Sequence, residues 1–146
     1  MWALLAEARG QVPLKDETRV PINSDHDIVT ARQHGRALAQ QIGFSNSNLT
    51  LIATAISELA RNILLYAKQG ELTLGIVEVD GRAGFSVVAR DQGPGIRDVD
   101  RAMEVGYSTS GSLGLGLPGV RRLMDDFEIV SSVGRGTTVT ARKWKR

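Results

Sequence analysis

The chain of 146 residues is 42% hydrophobic and 23% charged, the composition of one globular domain with a real core. It has no cysteine, which excludes disulfides, thiol catalysis and cysteine metal sites and suits a reducing compartment. Its pI is 9.3, yet Arg142, Lys143, Lys145 and Arg146 crowd the last five positions and the rest carries 14 basic against 16 acidic residues, so no nucleic-acid surface is expected.

Met1-Trp2-Ala3-Leu4-Leu5-Ala6-Glu7 lacks a basic leader and meets an acid too early for a signal peptide. Residues 1–17 read as an extension ahead of a single domain over 18–146, with room for two helical turns from Trp2 to Arg9. Thr18–Ile22 reads as a short strand, placed at a sheet edge by Pro21. Asn23, Ser24 and Asp25 offer caps for a helix to about Ile42, with Ile28, Val29, Ala31, Leu38 and Ile42 facing inward. His26 and His34 on that helix read as surface residues, since no third metal ligand stands nearby. After Gly43, Ser45 and Asn46 cap a second helix that runs to about Lys68. Glu71–Asp80 and Arg82–Arg90 read as strands joined across the tight-turn pair Asp80-Gly81. A weak helix over 98–105, a loop over 106–116 and a helix to about Asp126 come next, the last with Val120, Leu123 and Met124 inward. Phe127–Val133 and Thr137–Trp144 close the chain as a hairpin around Gly134-Arg135-Gly136, with the basic tail read as a solvated strand end. No apolar run approaches the ~18–20 residues that span a bilayer, so neither a membrane span nor a membrane partner is expected. Helices and strands are segregated, which predicts an α+β two-layer sandwich: one mixed, mostly antiparallel sheet with helices on one face.

The chemistry gathers around the second helix, at Thr54-Ala55-Ile56-Ser57-Glu58-Leu59-Ala60-Arg61-Asn62. Glu58 and Asn62 are four apart and stack on one face of an otherwise apolar helix. A carboxylate can accept a proton and a carboxamide oxygen can ligate a hard cation, although such a pair alone is most often just solvated. Asp91-Gln92-Gly93-Pro94-Gly95 stands where a strand leaves the sheet, putting a carboxylate on a rigid strand end beside backbone that a ligand can approach. Read alone, that is also an ordinary turn. Gly111-Ser112-Leu113-Gly114-Leu115-Gly116-Leu117-Pro118-Gly119 opens a helix, where exposed N–H groups suit an anion. Gly114, Gly116 and Gly119 fit G-x-G-x-x-G literally, but no preceding strand or βαβ unit supports a dinucleotide site, and no Gly-Lys-Ser/Thr makes a Walker A loop. Gly134-Arg135-Gly136-Thr137 is a hairpin turn whose threonine could add a hydroxyl to a base pocket.

In this order the motifs resemble the N, G1, G2 and G3 boxes of the GHKL ATPase superfamily and its Bergerat fold, over residues 18–144. The wording resembles the anti-sigma-factor type serine kinases, and within them the stressosome switch kinases: Thr54–Asn62, Asp91–Ile96, Ser108-Thr109-Ser110-Gly111 and Gly116–Val120 carry it. The resemblance implies ATP and Mg²⁺ as cofactors. It implies Glu58 as catalytic base, Asn62 as the Mg²⁺ ligand and Asp91 as acceptor of the adenine amino group. Gly93 and Gly95 would shape the nucleoside pocket, Gly114 and Gly116 would contact phosphates within a lid over 98–113, and Thr137 would support adenine. It implies phosphorylation of a serine or threonine on STAS-domain antagonist and scaffold proteins, then release to a downstream effector such as a PP2C-type phosphatase, all in the cytoplasm. The lid lacks the Lys or Arg that some related kinases carry near the γ-phosphate, and Arg61 or a partner would have to replace it. The other reading is a sequestering protein that answers to nucleotide and catalyses little.

Overall fold

The computed structural model describes residues 13–103 and 116–146. Five strands and four helices are formed there: β1 (Lys15–Ile22), α1 (Asp25–Gln41), α2 (Asn46–Tyr66), β2 (Gly70–Val79), β3 (Arg82–Asp91), α3 (Val99–Ala102), α4 (Gly116–Leu123), β4 (Asp126–Ser132) and β5 (Gly136–Trp144). The strands make one sheet in the order β1-β2-β3-β5-β4, and every neighbouring pair is antiparallel. The architecture is thus the expected α+β sandwich, with the described sheet fully antiparallel rather than mixed. β1 starts at Lys15, so residues 15–17 belong to the edge strand and not to an extension ahead of the domain.

Local chemistry explains the elements. Asp80 and Gly81 both take positive φ (52° and 79°), the backbone of a two-residue turn that matches strand twist. The Ser45 hydroxyl accepts the Asn48 N–H at 3.2 Å and caps α2. The Asp27 carboxylate reaches back to the N–H groups of Asn23 and Ser24 at 2.8 and 3.1 Å, closing the start of α1. The alternation of β2 and β3 sends Leu72, Leu74, Phe85 and Val87 to the helix side, where they meet Ile52, Ile56, Leu59 and Ile63 of α2, all within 2% of full burial. Gly35 brings α1 against α2: a Cβ there would lie 2.2 Å from Ile56 Cδ1.

Several expectations need correction. Val29 is 37% exposed, and Gly35 and Ala39 face inward on α1 where it was placed. The basic tail is not a free strand end. Arg142 is buried, Lys143 Nζ donates to Leu123 O at 2.9 Å, and Trp144 Nε1 donates to Asp126 Oδ2 at 2.7 Å under the Arg82 guanidinium. By length and mean hydropathy α2 could span a membrane, but it is the core helix of this fold, packed on the sheet and between α1 and α4.

Two placements shape the candidate site. β5 returns between β3 and β4, so Asp91 at the end of β3 stands opposite Thr137 at the start of β5. α4 packs against α2 on the helix side of the sheet.

Candidate functional site

Between α2 and the adjoining ends of β3 and β5 lies a cavity of about 250 Å³, just under the ~300 Å³ at which small-molecule sites usually begin. Asn62, Asp91, Gly95, Gly116 and Thr137 line it, five residues that sequence spacing singled out from four separate stretches. Its apolar walls include Leu59 and Ile63 from α2, Ala89 and Val139 from the sheet, and Ile96, a lining that suits a flat base.

Glu58 does not line the cavity itself but sits at its α4 edge. It is a carboxylate at 6% exposure on a helix whose neighbours are apolar, and two hydrogen bonds hold it. Arg61 Nη1 donates to Oε1 at 2.7 Å, and the Gly116 N–H donates to Oε2 at 3.2 Å. Burial of the charge is tolerable because both oxygens are paired. Arg61 therefore serves Glu58, and the spacing of three on one helix face is the signal that could have shown it.

The Asp91 carboxylate accepts the Gly93 N–H at 2.9 Å through Oδ1, which fixes its rotamer and leaves Oδ2 for the cavity. Gly93 itself lies outside the lining. A Cβ on it would stand 2.6 Å from the Ala67 Cβ, so its part is to seat the turn on the end of α2. Gly95 takes φ +78°, and a Cβ there would come within 2.2 Å of the Ser132 carbonyl oxygen. The Gly134 N–H donates to the Pro94 carbonyl at 2.9 Å across the same seam. Gly114 and most of the expected lid fall on residues 104–115, outside the described residues.

Ser131 was missed. Its hydroxyl accepts the Ile96 N–H at 2.7 Å, lies 3.1 Å from the Gly136 carbonyl and stands 2.8 Å from the Thr137 hydroxyl. Once the final hairpin is drawn, Ser131 pairs with Thr137 across β4 and β5, so the signal lay in the register.

The donor set fits a nucleotide with a hard cation. A carboxamide oxygen at Asn62 is a suitable cation ligand, and among the described residues no cluster of three His, Asp or Glu could hold an ion unaided. A cation here would complete its shell with phosphate oxygens and water.

An apolar cavity, a helix-borne carboxylate and carboxamide, and a glycine-bounded strand end on an α+β sheet are the features expected of a nucleotide-dependent phosphotransferase or ATPase without a P-loop. The family profile described as "Histidine kinase-like ATPase domain" matches residues 22–143, and the chain belongs to that family. ATP is the nucleotide of the class. The chain is similar to serine/threonine-protein kinase RsbT of Bacillus subtilis, 50% identical over 91% of this chain and 100% of the relative. It is also similar to the anti-sigma F factor of Caldanaerobacter subterraneus, 31% identical over 78% of this chain and 82% of the relative. A crystal structure of the RsbU and RsbW domains of Rv1364c from Mycobacterium tuberculosis superposes with a TM-score of 0.60, at 20% identity, over 90% of this chain and 34% of that one. That likeness bears on the fold alone.

Proposed function

We propose that this chain uses Mg²⁺-ATP to phosphorylate a serine or threonine on STAS-domain antagonist and scaffold proteins of a stressosome-like module. Once released from them, it binds and regulates a downstream effector such as a PP2C-type phosphatase, and it works in the cytoplasm. The chain is a protein kinase by class, since it is 50% identical, over 91% of its length, to a serine/threonine-protein kinase that it covers completely. The observation that carries the mechanism is Glu58: a buried carboxylate at the cavity edge, one helical turn from Asn62.

Phosphoryl transfer asks a protein mainly for positioning and charge neutralisation. Bound Mg²⁺-ATP would supply the phosphoryl group and the cation that offsets its charge. Asn62 offers its carboxamide oxygen to that cation. Asp91 and Thr137 would meet the adenine edge, and Leu59, Ile63, Ala89 and Val139, which line the same cavity, would keep water from its faces. Gly116 stands where the chain enters α4, and its N–H, held by Glu58 Oε2 at 3.2 Å, could serve a phosphate oxygen of bound ATP. Were that N–H given to a phosphate, Glu58 Oε2 would be free to take the proton from the partner's hydroxyl as that hydroxyl attacks the γ-phosphorus and ADP leaves. Arg61 keeps Glu58 oriented through Oε1. A phosphate placed on the partner then adds charge at the interface, which favours release.

The test is the intact mass of candidate STAS-domain proteins after incubation with this chain, Mg²⁺ and ATP. One added phosphoryl group on a serine or threonine is the expected result. No addition, with ATP still bound tightly, would contradict the substrate class.

A further inference from the structure

Ser131 has one proton to give and two neighbours that could take it. Its oxygen already accepts the Ile96 N–H at 2.7 Å. The Gly136 carbonyl, 3.1 Å away, can only accept, whereas the Thr137 hydroxyl, 2.8 Å away, can donate or accept. Only one assignment pairs all of them: Ser131 donates to Gly136 O, and Thr137 donates to Ser131. With its proton spent on Ser131, the Thr137 hydroxyl shows the cavity lone pairs alone. Asp91, its partner across β3 and β5, also shows the cavity an acceptor, since Oδ1 is taken by the Gly93 N–H and an ionised carboxylate has no proton.

We infer that Ser131 is a specificity-positioning residue: by taking the Thr137 proton it makes this end of the cavity acceptor-only, so the site selects a purine with a 6-amino donor and rejects one with a 6-oxo acceptor. Ser131 touches no ligand and acts through Thr137. The inference rests on the reading of this cavity as the base subsite. It also explains why one serine joins three segments: it fixes the turn at Ile96, the hairpin at Gly136 and the polarity of Thr137 together.

The test compares binding of ATP and inosine triphosphate, which differ at the 6-position, to the full chain. In Ser131→Ala the Thr137 hydroxyl is free to rotate and donate to a 6-oxo group. The preference for ATP is then expected to narrow by about tenfold, the scale of one hydrogen bond changing sign. Ser131→Thr keeps the hydroxyl and should hold the wild-type ratio. If Ser131→Ala does not fold, Ser131→Cys keeps the volume with a weak donor and acceptor and should narrow the ratio likewise. Equal weakening of both nucleotides, with the ratio unchanged, would reduce Ser131 to a structural role and overturn the inference. Thr137→Val separates the two possible failures. If it narrows the ratio and Ser131→Ala does not, Ser131 is not the positioning group. If Thr137→Val leaves the ratio untouched while ATP still binds, the base lies elsewhere and the subsite reading fails with it.

Discussion

Removing Arg61 should expose how the buried Glu58 charge is supported. The Glu58 side chain is 8% exposed and that of Arg61 is 41% exposed, with 2.7 Å between Nη1 and Oε1. Exposed ion pairs contribute about 0–1 kcal/mol, and stripping the partner from a fully buried charge costs about 3–5 kcal/mol. Arg61 is half solvated and Glu58 keeps the Gly116 N–H, so Arg61→Ala should cost about 1–2 kcal/mol, between those limits. For a chain of this size that lowers Tm by about 3–6 °C. Glu58→Gln removes the buried charge and keeps hydrogen-bonding capacity, so it should leave stability unchanged or slightly raised. The assay is a double-mutant cycle by urea denaturation on wild type, Arg61→Ala, Glu58→Gln and the double variant. In the Glu58→Gln background the Arg61→Ala cost should fall to about 0–0.5 kcal/mol. If Arg61→Ala cost the same in both backgrounds, Arg61 would not be acting through Glu58 and the reasoning would be wrong.

Asn62→Ala should weaken ATP binding when Mg²⁺ is present and have little effect in its absence; equal affinity for wild type and variant in both titrations would remove Asn62 from the cation site. Gly95→Ala should impair folding or abolish ATP binding, because its φ of +78° strains any side chain and a Cβ would stand 2.2 Å from Ser132 O; a folded variant that binds ATP at wild-type affinity would show that the seam can open at no cost. The Asn23 N–H, followed by that of Ser24, holds the Asp27 carboxyl below its ordinary value of 3.8. A lowered folded pKa contributes stability that is complete above the unfolded value and is lost as pH falls through the folded one. The Tm difference between wild type and Asp27→Asn should therefore be constant above about pH 4 and shrink below it; a difference that grew on acidification would contradict this sign.

Helical period and glycine punctuation carried most of the fold. α2 runs from Asn46 to Tyr66 behind its Ser45 cap, and the Asp80-Gly81 turn sits where the dipeptide put it, because both arise from local chemistry. Strand order did not arise from local chemistry. Nothing in the residues of β4 and β5 says that β5 lies between β3 and β4, and that insertion alone sets Asp91 opposite Thr137. The tail was misread for a related reason: Asp125 and Asp126, which hold Trp144 and Arg146, become its neighbours only when the last hairpin folds onto the end of α4. At the site, the polar and glycine residues that line the cavity were legible as motifs. Ser131 and the Arg61–Glu58 pair were harder to see, since each acts on another side chain and its signal is a relation between two residues: the β4–β5 register for one and a spacing of three along α2 for the other.

The most direct measurement is the rate of phosphoryl transfer to the proposed STAS-domain substrate by Glu58→Ala under single turnover, at saturating Mg²⁺-ATP, with nucleotide affinity measured alongside. Loss of a general base should slow transfer by about 10²–10⁴-fold while ATP affinity stays near wild type, since Glu58 does not line the cavity. Transfer at the wild-type rate would show that Glu58 is not the base.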